Sequence, residues 1–190
     1  MILMNKLTNA YRVFGYFKKA GIFLSGIALF GMIFLITADV LSRNVTSKSI
    51  AGSYEIVQNY FMSLASFTII LYAYSTGVMP RISMVVEKMP RFVQKILLLL
   101  MLLVELIIAL LFTYYTLNYS FTGVAEGFAF PAGGILFPIY PFLFLVPIGF
   151  MGIAIEIVFV LMKNIFSKEL WITFTKQQSS EEAMDQTYVS

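Results

Sequence analysis

Residues 20–41 read AGIFLSGIALFGMIFLITADVL, with no charge before Asp39. A run of about 20 predominantly apolar residues is what an α-helix needs to cross the hydrocarbon of a bilayer. The same reading extends along the chain. Residues 54–79 hold no charge after Glu55, and residues 93–119, which open with Lys95 in their first turn, are interrupted by Glu105. A last apolar stretch, residues 135–162, is broken only by Glu156, and its span is expected over 138–162. The expected fold is an all-α integral membrane protein with four transmembrane helices.

Composition agrees with a bilayer as solvent. The chain has 190 residues, 59% of them hydrophobic and 12% charged, with mean hydropathy +0.86. A soluble domain is usually about half apolar and about a quarter charged. The net charge of +3 is small and its basic residues are dispersed around apolar spans, a pattern for anionic lipid headgroups and not for nucleic acid. Cysteine and histidine are absent. Disulfides, thiolate nucleophiles, imidazole bases and His-ligated metals are thereby excluded within this chain. No G-x-S-x-G, H-E-x-x-H or phosphate-binding loop occurs, so the chain is not expected to be an enzyme.

Orientation is read from Lys and Arg. Lys6, Arg12, Lys18 and Lys19 precede the first span; Arg81, Lys88, Arg91 and Lys95 lie between spans two and three; Lys163, Lys168 and Lys176 follow the last. Those eleven share one side, and only Arg43 and Lys48 face the other. Both termini are therefore expected in the cytoplasm. The apolar run after Lys18 and Lys19 is as long as a full span, which favours a retained helix over a cleaved signal. Residues 1–19 are expected to form a separate amphipathic helix in the interface. Leu3, Leu7, Ala10, Tyr11, Phe14 and Phe17 recur at spacings of three and four, away from most of Lys6, Asn9, Arg12 and Lys19. Trp171 and Phe174 read as an interface anchor at the start of a cytoplasmic tail, residues 164–190, whose end is polar and acidic.

Ionisable residues at membrane depth are costly, and each is a functional candidate. Asp39 stands four residues before Arg43, on one helical face, which favours a pair with each other or with a partner subunit over ion transport. Glu105 has no basic residue at equal depth and is left to Ser or Tyr hydroxyls, to a proton, or to a cation on another chain. Glu156 is expected to snorkel or to pair with Lys163. Gly21 and Ser25, four apart, permit close helix approach. Pro138 and Pro141 mark the outer start of span four, Pro147 is expected to kink it, and Gly127 to Gly134 read as a loop or partial re-entrant turn.

Several short stretches, in order, resemble a known family. Ala38-Asp39-Val40-Leu41-Ser42-Arg43-Asn44 is similar to the D-V-x-x-R-Y/N stretch of the small membrane subunit (DctQ type) of tripartite ATP-independent periplasmic (TRAP) transporters. Gly52-Ser53-Tyr54-Glu55-Ile56 resembles the glutamate and aliphatic residue that open that family's second span. Gly77-Val78-Met79-Pro80-Arg81 and Lys88-Met89-Pro90 resemble its basic turn, and Pro138 with Pro147-Ile148-Gly149 resembles its last span. The resemblance covers about residues 20–163. The family often carries a His in the turn after span two, and this chain has none.

The resemblance implies a scaffold in the bacterial inner membrane that works with two partners. One is a large TRAP membrane subunit that holds the Na⁺ and substrate sites and moves as an elevator. The other is a periplasmic substrate-binding protein that delivers an organic acid, of the dicarboxylate or sialic acid class. Cofactors are expected in neither the spans nor the tail of this chain; Na⁺ belongs to the large subunit. Asp39, Arg43, Glu55 and Glu105 are the expected interface residues. Two other function classes stay open at this stage: a homo-oligomeric channel or carrier with Glu105 facing its pore, and an intramembrane enzyme using Glu105 and Glu156.

Overall fold

The computed structural model describes residues 2–76 and 90–166. The basic turn with Arg81 and Lys88, the end of span two, and the tail with Trp171 and Phe174 lie outside the described residues. So do the side chains of Leu3, Lys6 and Leu7.

Helix α1 runs over Ile2–Thr46, α2 over Ser53–Ser75 and α3 over Arg91–Ala125. A two-stranded hairpin follows, β1 Ala129–Ala132 and β2 Ile135–Pro138, then a short α4, Tyr140–Leu143, and α5, Leu145–Phe166. Among the described residues four helical stretches are long and apolar enough to cross a membrane: Asn9–Thr46, Ser53–Ser75, Arg91–Ala125 and Tyr140–Ile165. Helix is the form that lipid imposes on such runs, because every backbone donor and acceptor must be satisfied within the segment.

The N-terminal segment differs from expectation in one respect. Residues 2–19 are not a separate helix but the first turns of α1, which is 45 residues long without interruption. At 1.5 Å per residue that is roughly 67 Å, over twice the hydrocarbon thickness. No proline or loop residue breaks the chain near Lys19-Ala20, and the early turns pack on α5. Tyr11 meets the Phe159 ring edge-on at 5.6 Å, and Phe14 packs 6.0 Å from the same ring.

The spans form a row in the order α1, α2, α5, α3: α2 packs between α1 and α5, and α3 lies on the far side of α5. Span four is accordingly the central one. Within its apolar window 44% of residues are buried, against 11% in each of the other three. Small residues set the spacing of α1 and α2. Gly21 lies against the Thr68 carbonyl so closely that an added Cβ would stand 2.5 Å from it. One turn on, Ser25 Oγ donates to the Ala65 carbonyl at 2.9 Å, and Ala28 is fully buried. A wider π turn at Val57–Phe61 then lays Phe61 against Gly31 while Tyr60 faces the hairpin.

The stretch from Gly127 to Gly134 is neither plain loop nor re-entrant turn. The strands pair antiparallel with Ala132 opposite Ile135. Gly133 and Gly134 make the two-residue turn with φ of 59° and 86°, both in the left-handed region that such hairpins require.

Span four breaks at Phe144, between α4 and α5, instead of kinking at Pro147. Pro141 occupies the first turn of α4 and Pro147 the first turn of α5, where a missing N–H is tolerated. The carbonyl that Pro147 leaves without its helical donor is that of Leu143. Ser120 Oγ, fully buried on α3, lies 3.0 Å from it and 2.8 Å from its own Thr116 carbonyl. One hydroxyl thus repairs the break and joins α3 to span four.

Two predictions follow from this packing. Gly21→Ala destabilises the fold by about 1–3 kcal/mol through overpacking. Gly26→Ala, at a position with nothing within 4 Å, does not. Ser120→Ala costs about 1–3 kcal/mol by orphaning a buried carbonyl, whereas Thr122→Ala, which frees only an exposed bond to Asn118, is near neutral. Reversible unfolding in bicelles or mixed micelles measures all four.

Candidate functional site

Among the described residues, ionisable side chains within the spans meet partners at three places, each tying together separate parts of the chain. The first joins α1 to α5. Lys18 Nζ donates to Glu156 Oε2 at 2.7 Å and to Tyr11 Oη at 2.8 Å, while Tyr11 Oη donates to Glu156 Oε1 at 2.8 Å. Both charged side chains are nearly inaccessible, 7% and 1% exposed. The ammonium also stands 4.1 Å from the centre of the Tyr11 ring. Tyr11, Phe14 and Lys18 are spaced three and four apart, one stripe of α1. A charge removed from water is tolerable only when paired and hydrogen-bonded, and this triangle meets both conditions.

Glu156 therefore pairs with Lys18 and not, as its sequence neighbourhood suggests, with Lys163. Lys163 is two turns farther along the same helix, roughly 10 Å away by helical rise, whereas the early turns of α1 bring Lys18 directly onto it. The signal available in the sequence was that aromatic and basic stripe ending in Lys18, beside a carboxylate in span four.

The second place joins α2 to α3. Tyr74 Oη, in the last described turn of α2, donates a hydrogen bond to Glu105 Oε2. Tyr74 is buried and Glu105 half-buried. Of the partners open to Glu105, the tyrosine hydroxyl is the one that this fold supplies.

The third place closes the far end of α1. Asp39 is buried and takes three donors. Arg43, one turn on, reaches Oδ2 at 2.6 Å. Ser49 Oγ and the Ile50 amide reach Oδ1 at 2.8 and 2.7 Å. The carboxylate thus folds residues 47–52 back over the helix end, and Gly52, with φ 81°, admits the chain to α2. Glu55 sits half-buried in the first turn of α2, at this same end. Of the four predicted site residues the structure brings Asp39 and Arg43 into contact, leaves Glu55 nearby, and holds Glu105 apart on α3.

No hydrogen bond links Glu105 to Glu156; each carboxylate has its own donors. Among the described residues every buried side-chain nitrogen or oxygen has a hydrogen-bond partner. An apolar cleft of about 190 Å³ opens between α1, α2 and α5, walled by Phe17, Gly21, Leu24, Phe67 and Ile148 among others, with no charged group in its lining. Among the described residues the buried polar side chains tie helix to helix at Lys18–Glu156 and Tyr74–Glu105 and close the end of α1 at Asp39.

One family, described as tripartite ATP-independent periplasmic transporters, DctQ component, matches residues 32–168. The chain belongs to this DctQ family. The match takes in Asp39, Arg43, Glu55, Glu105 and Glu156, and begins after Tyr11 and Lys18, so the α1–α5 clasp reaches from the family segment to the turns before it. No curated protein matches the chain. A DctQ chain is a transporter component and not an enzyme, and the family works in general with a large TRAP membrane subunit and a binding protein.

The clasp yields a double-mutant prediction. Glu156→Leu or Lys18→Met alone costs about 3–5 kcal/mol by stranding a buried charge, while the two together recover most of that loss. Additive losses in equilibrium unfolding of the four proteins would show that the pair is not coupled.

Proposed function

We propose that this DctQ chain is the static scaffold of a TRAP transporter, bracing the large elevator subunit during Na⁺-driven uptake of an organic acid of the dicarboxylate or sialic acid class. A periplasmic binding protein delivers that acid to the hairpin end of the spans. The observation that carries the reading is the use made of polar groups. A transport site keeps polar atoms available for its solute, usually at broken helices near mid-membrane. Here every buried side-chain nitrogen or oxygen among the described residues is already taken by a partner in the chain, several of them on another helix, which suits a fixed body.

The open row supports the same reading. Its two outer helices present long apolar faces with nothing on them. On α1, Phe23, Ile27, Phe30, Phe34 and Leu41 are exposed at spacings of four, three, four and seven, the periodicity of a helix–helix seam. On α3, Leu100, Leu103, Ile107, Leu110 and Tyr114 make a second exposed stripe. A large membrane subunit and lipid together would cover both. Arg43, Glu55 and Glu105 keep some exposure and are the polar contacts we assign to the partner, with Asp39 holding Arg43 in place. The excess of Lys and Arg at the opposite end supports a reading with both termini in the cytoplasm of a bacterial inner membrane.

Reconstitution tests this reading. Liposomes with the large subunit, this chain and the binding protein accumulate the acid in a Na⁺-dependent way, and liposomes with this chain alone carry no flux. Flux through this chain alone would favour a self-sufficient carrier with Glu105 at its pore. Photo-crosslinkers placed at Arg43, Glu55 and Glu105 are expected to capture the large subunit; capture of lipid alone at all three would remove the interface assignment.

A further inference from the structure

The hairpin between α3 and α4 has an unusual surface. Residues 127–155 contain no charge, and the hairpin lies wholly within them. Its register puts Phe130, Ala132, Ile135 and Phe137 on one face and Ala129, Pro131, Leu136 and Pro138 on the other. Phe130, Ala132 and Phe137 of the first face are buried or half-buried, and Ile135 beside the turn is exposed. Tyr60 meets Phe130 edge-on at 5.1 Å and donates its hydroxyl to the Pro138 carbonyl at 2.7 Å, and Ala132 and Gly133 abut the Ala51-Gly52 turn. All four residues of the second face are exposed, Leu136 by 70%.

These contacts also fix how the hairpin lies. Its base is at Tyr60 and its tip at Gly52, the residue that precedes α2, eight residues apart or about 12 Å of helical rise. That is close to the length of a four-residue strand, roughly 13 Å. The hairpin therefore runs alongside the first two turns of α2 and does not sit across their end, so its free face looks sideways. Its depth follows from α1. The contacts of Gly21 with Thr68, Ser25 with Ala65 and Gly31 with Phe61 put Asp39 level with the start of α2. From Lys18 to Asp39, α1 rises roughly 32 Å, close to the hydrocarbon thickness of about 30 Å. The hairpin occupies the membrane side of that boundary.

Backbone chemistry points the same way. In an antiparallel pair alternate residues aim their N–H and C=O outward, away from the partner strand. The pairs nearest the turn, Ala132 with Ile135, and the outermost bond, Ile139 N–H to Phe128 O at 2.9 Å, face inward. Positions 129, 131, 136 and 138 are thus the outward ones, and two of them are proline, with no N–H to leave unpaired. Edges facing water are usually guarded by charge. This one has lost donors in place of gaining charges, an adaptation to a surrounding poor in water.

We propose that the free face of the hairpin is a lipid contact: it lies in the headgroup–acyl boundary of the leaflet at the hairpin end, continuous with the lipid-facing surface of the spans. The cysteine-free sequence gives a direct test. Nitroxide labels at Leu136→Cys and Ala129→Cys, in the assembled transporter in bilayers, are expected to collide with oxygen several-fold more than with a water-soluble nickel chelate. A label at Lys48→Cys, on the exposed loop after α1, is expected to show the opposite order. Higher nickel collision at 129 and 136 would mean that the face meets water. Low collision with both reagents would mean that a protein subunit covers it. Either result overturns the proposal, and neither bears on which solute the transporter moves.

Discussion

A polar atom inside a bilayer has no water to fall back on, and this requirement shapes every junction of the protein. Lys18, Tyr11 and Glu156 close a buried triangle between α1 and α5. Ser25 binds α1 to the backbone of α2, Tyr74 binds α2 to Glu105 of α3, and Ser120 binds α3 to the carbonyl exposed at the start of span four. Apolar surface gives little preference for one helix over another in lipid, so these bonds, with the close approach at Gly21, supply the specificity that water would otherwise provide.

Their placement accounts for an open row in place of a closed bundle. The Ser25 and Ser120 struts join elements next to each other in the row, while the α1–α5 clasp reaches past α2 and the Tyr74–Glu105 bond past α5, each at one point only. Broad faces of α1 and α3 stay uncovered as a result. In a soluble protein such faces would drive aggregation. In a membrane they are where lipid and a larger subunit meet the chain, and a body that offers wide apolar faces on a cross-linked frame is suited to resisting motion in its neighbour.

Much of this was legible in the sequence, and for a simple reason. Spanning helices are dictated by length and apolarity, which residues 20–41 and 93–119 display without ambiguity. The Asp39–Arg43 pair was legible because both partners sit one turn apart on one helix, and the roles of Gly21 and Ser25 because small residues four apart leave few other uses. What escaped was set by tertiary contact. Lys18 reads as an orienting charge until α1 is seen to continue past it and lie against span four. The hairpin escaped because ten residues rich in Gly, Pro and Phe, with no polar alternation, lack the period that marks a half-buried strand. The break at Phe144 escaped because its compensation comes from Ser120, on another helix.

A brace differs from a moving part in one measurable way. Nitroxide pairs at Val45→Cys and Tyr115→Cys, on exposed positions of α1 and α3, report the distance across the row by pulsed dipolar spectroscopy in the assembled transporter. The distribution is expected to stay the same without ligand, with Na⁺, and with Na⁺ plus the transported acid. A shift of several ångströms between these states would contradict a fixed scaffold and make this chain part of the moving machinery.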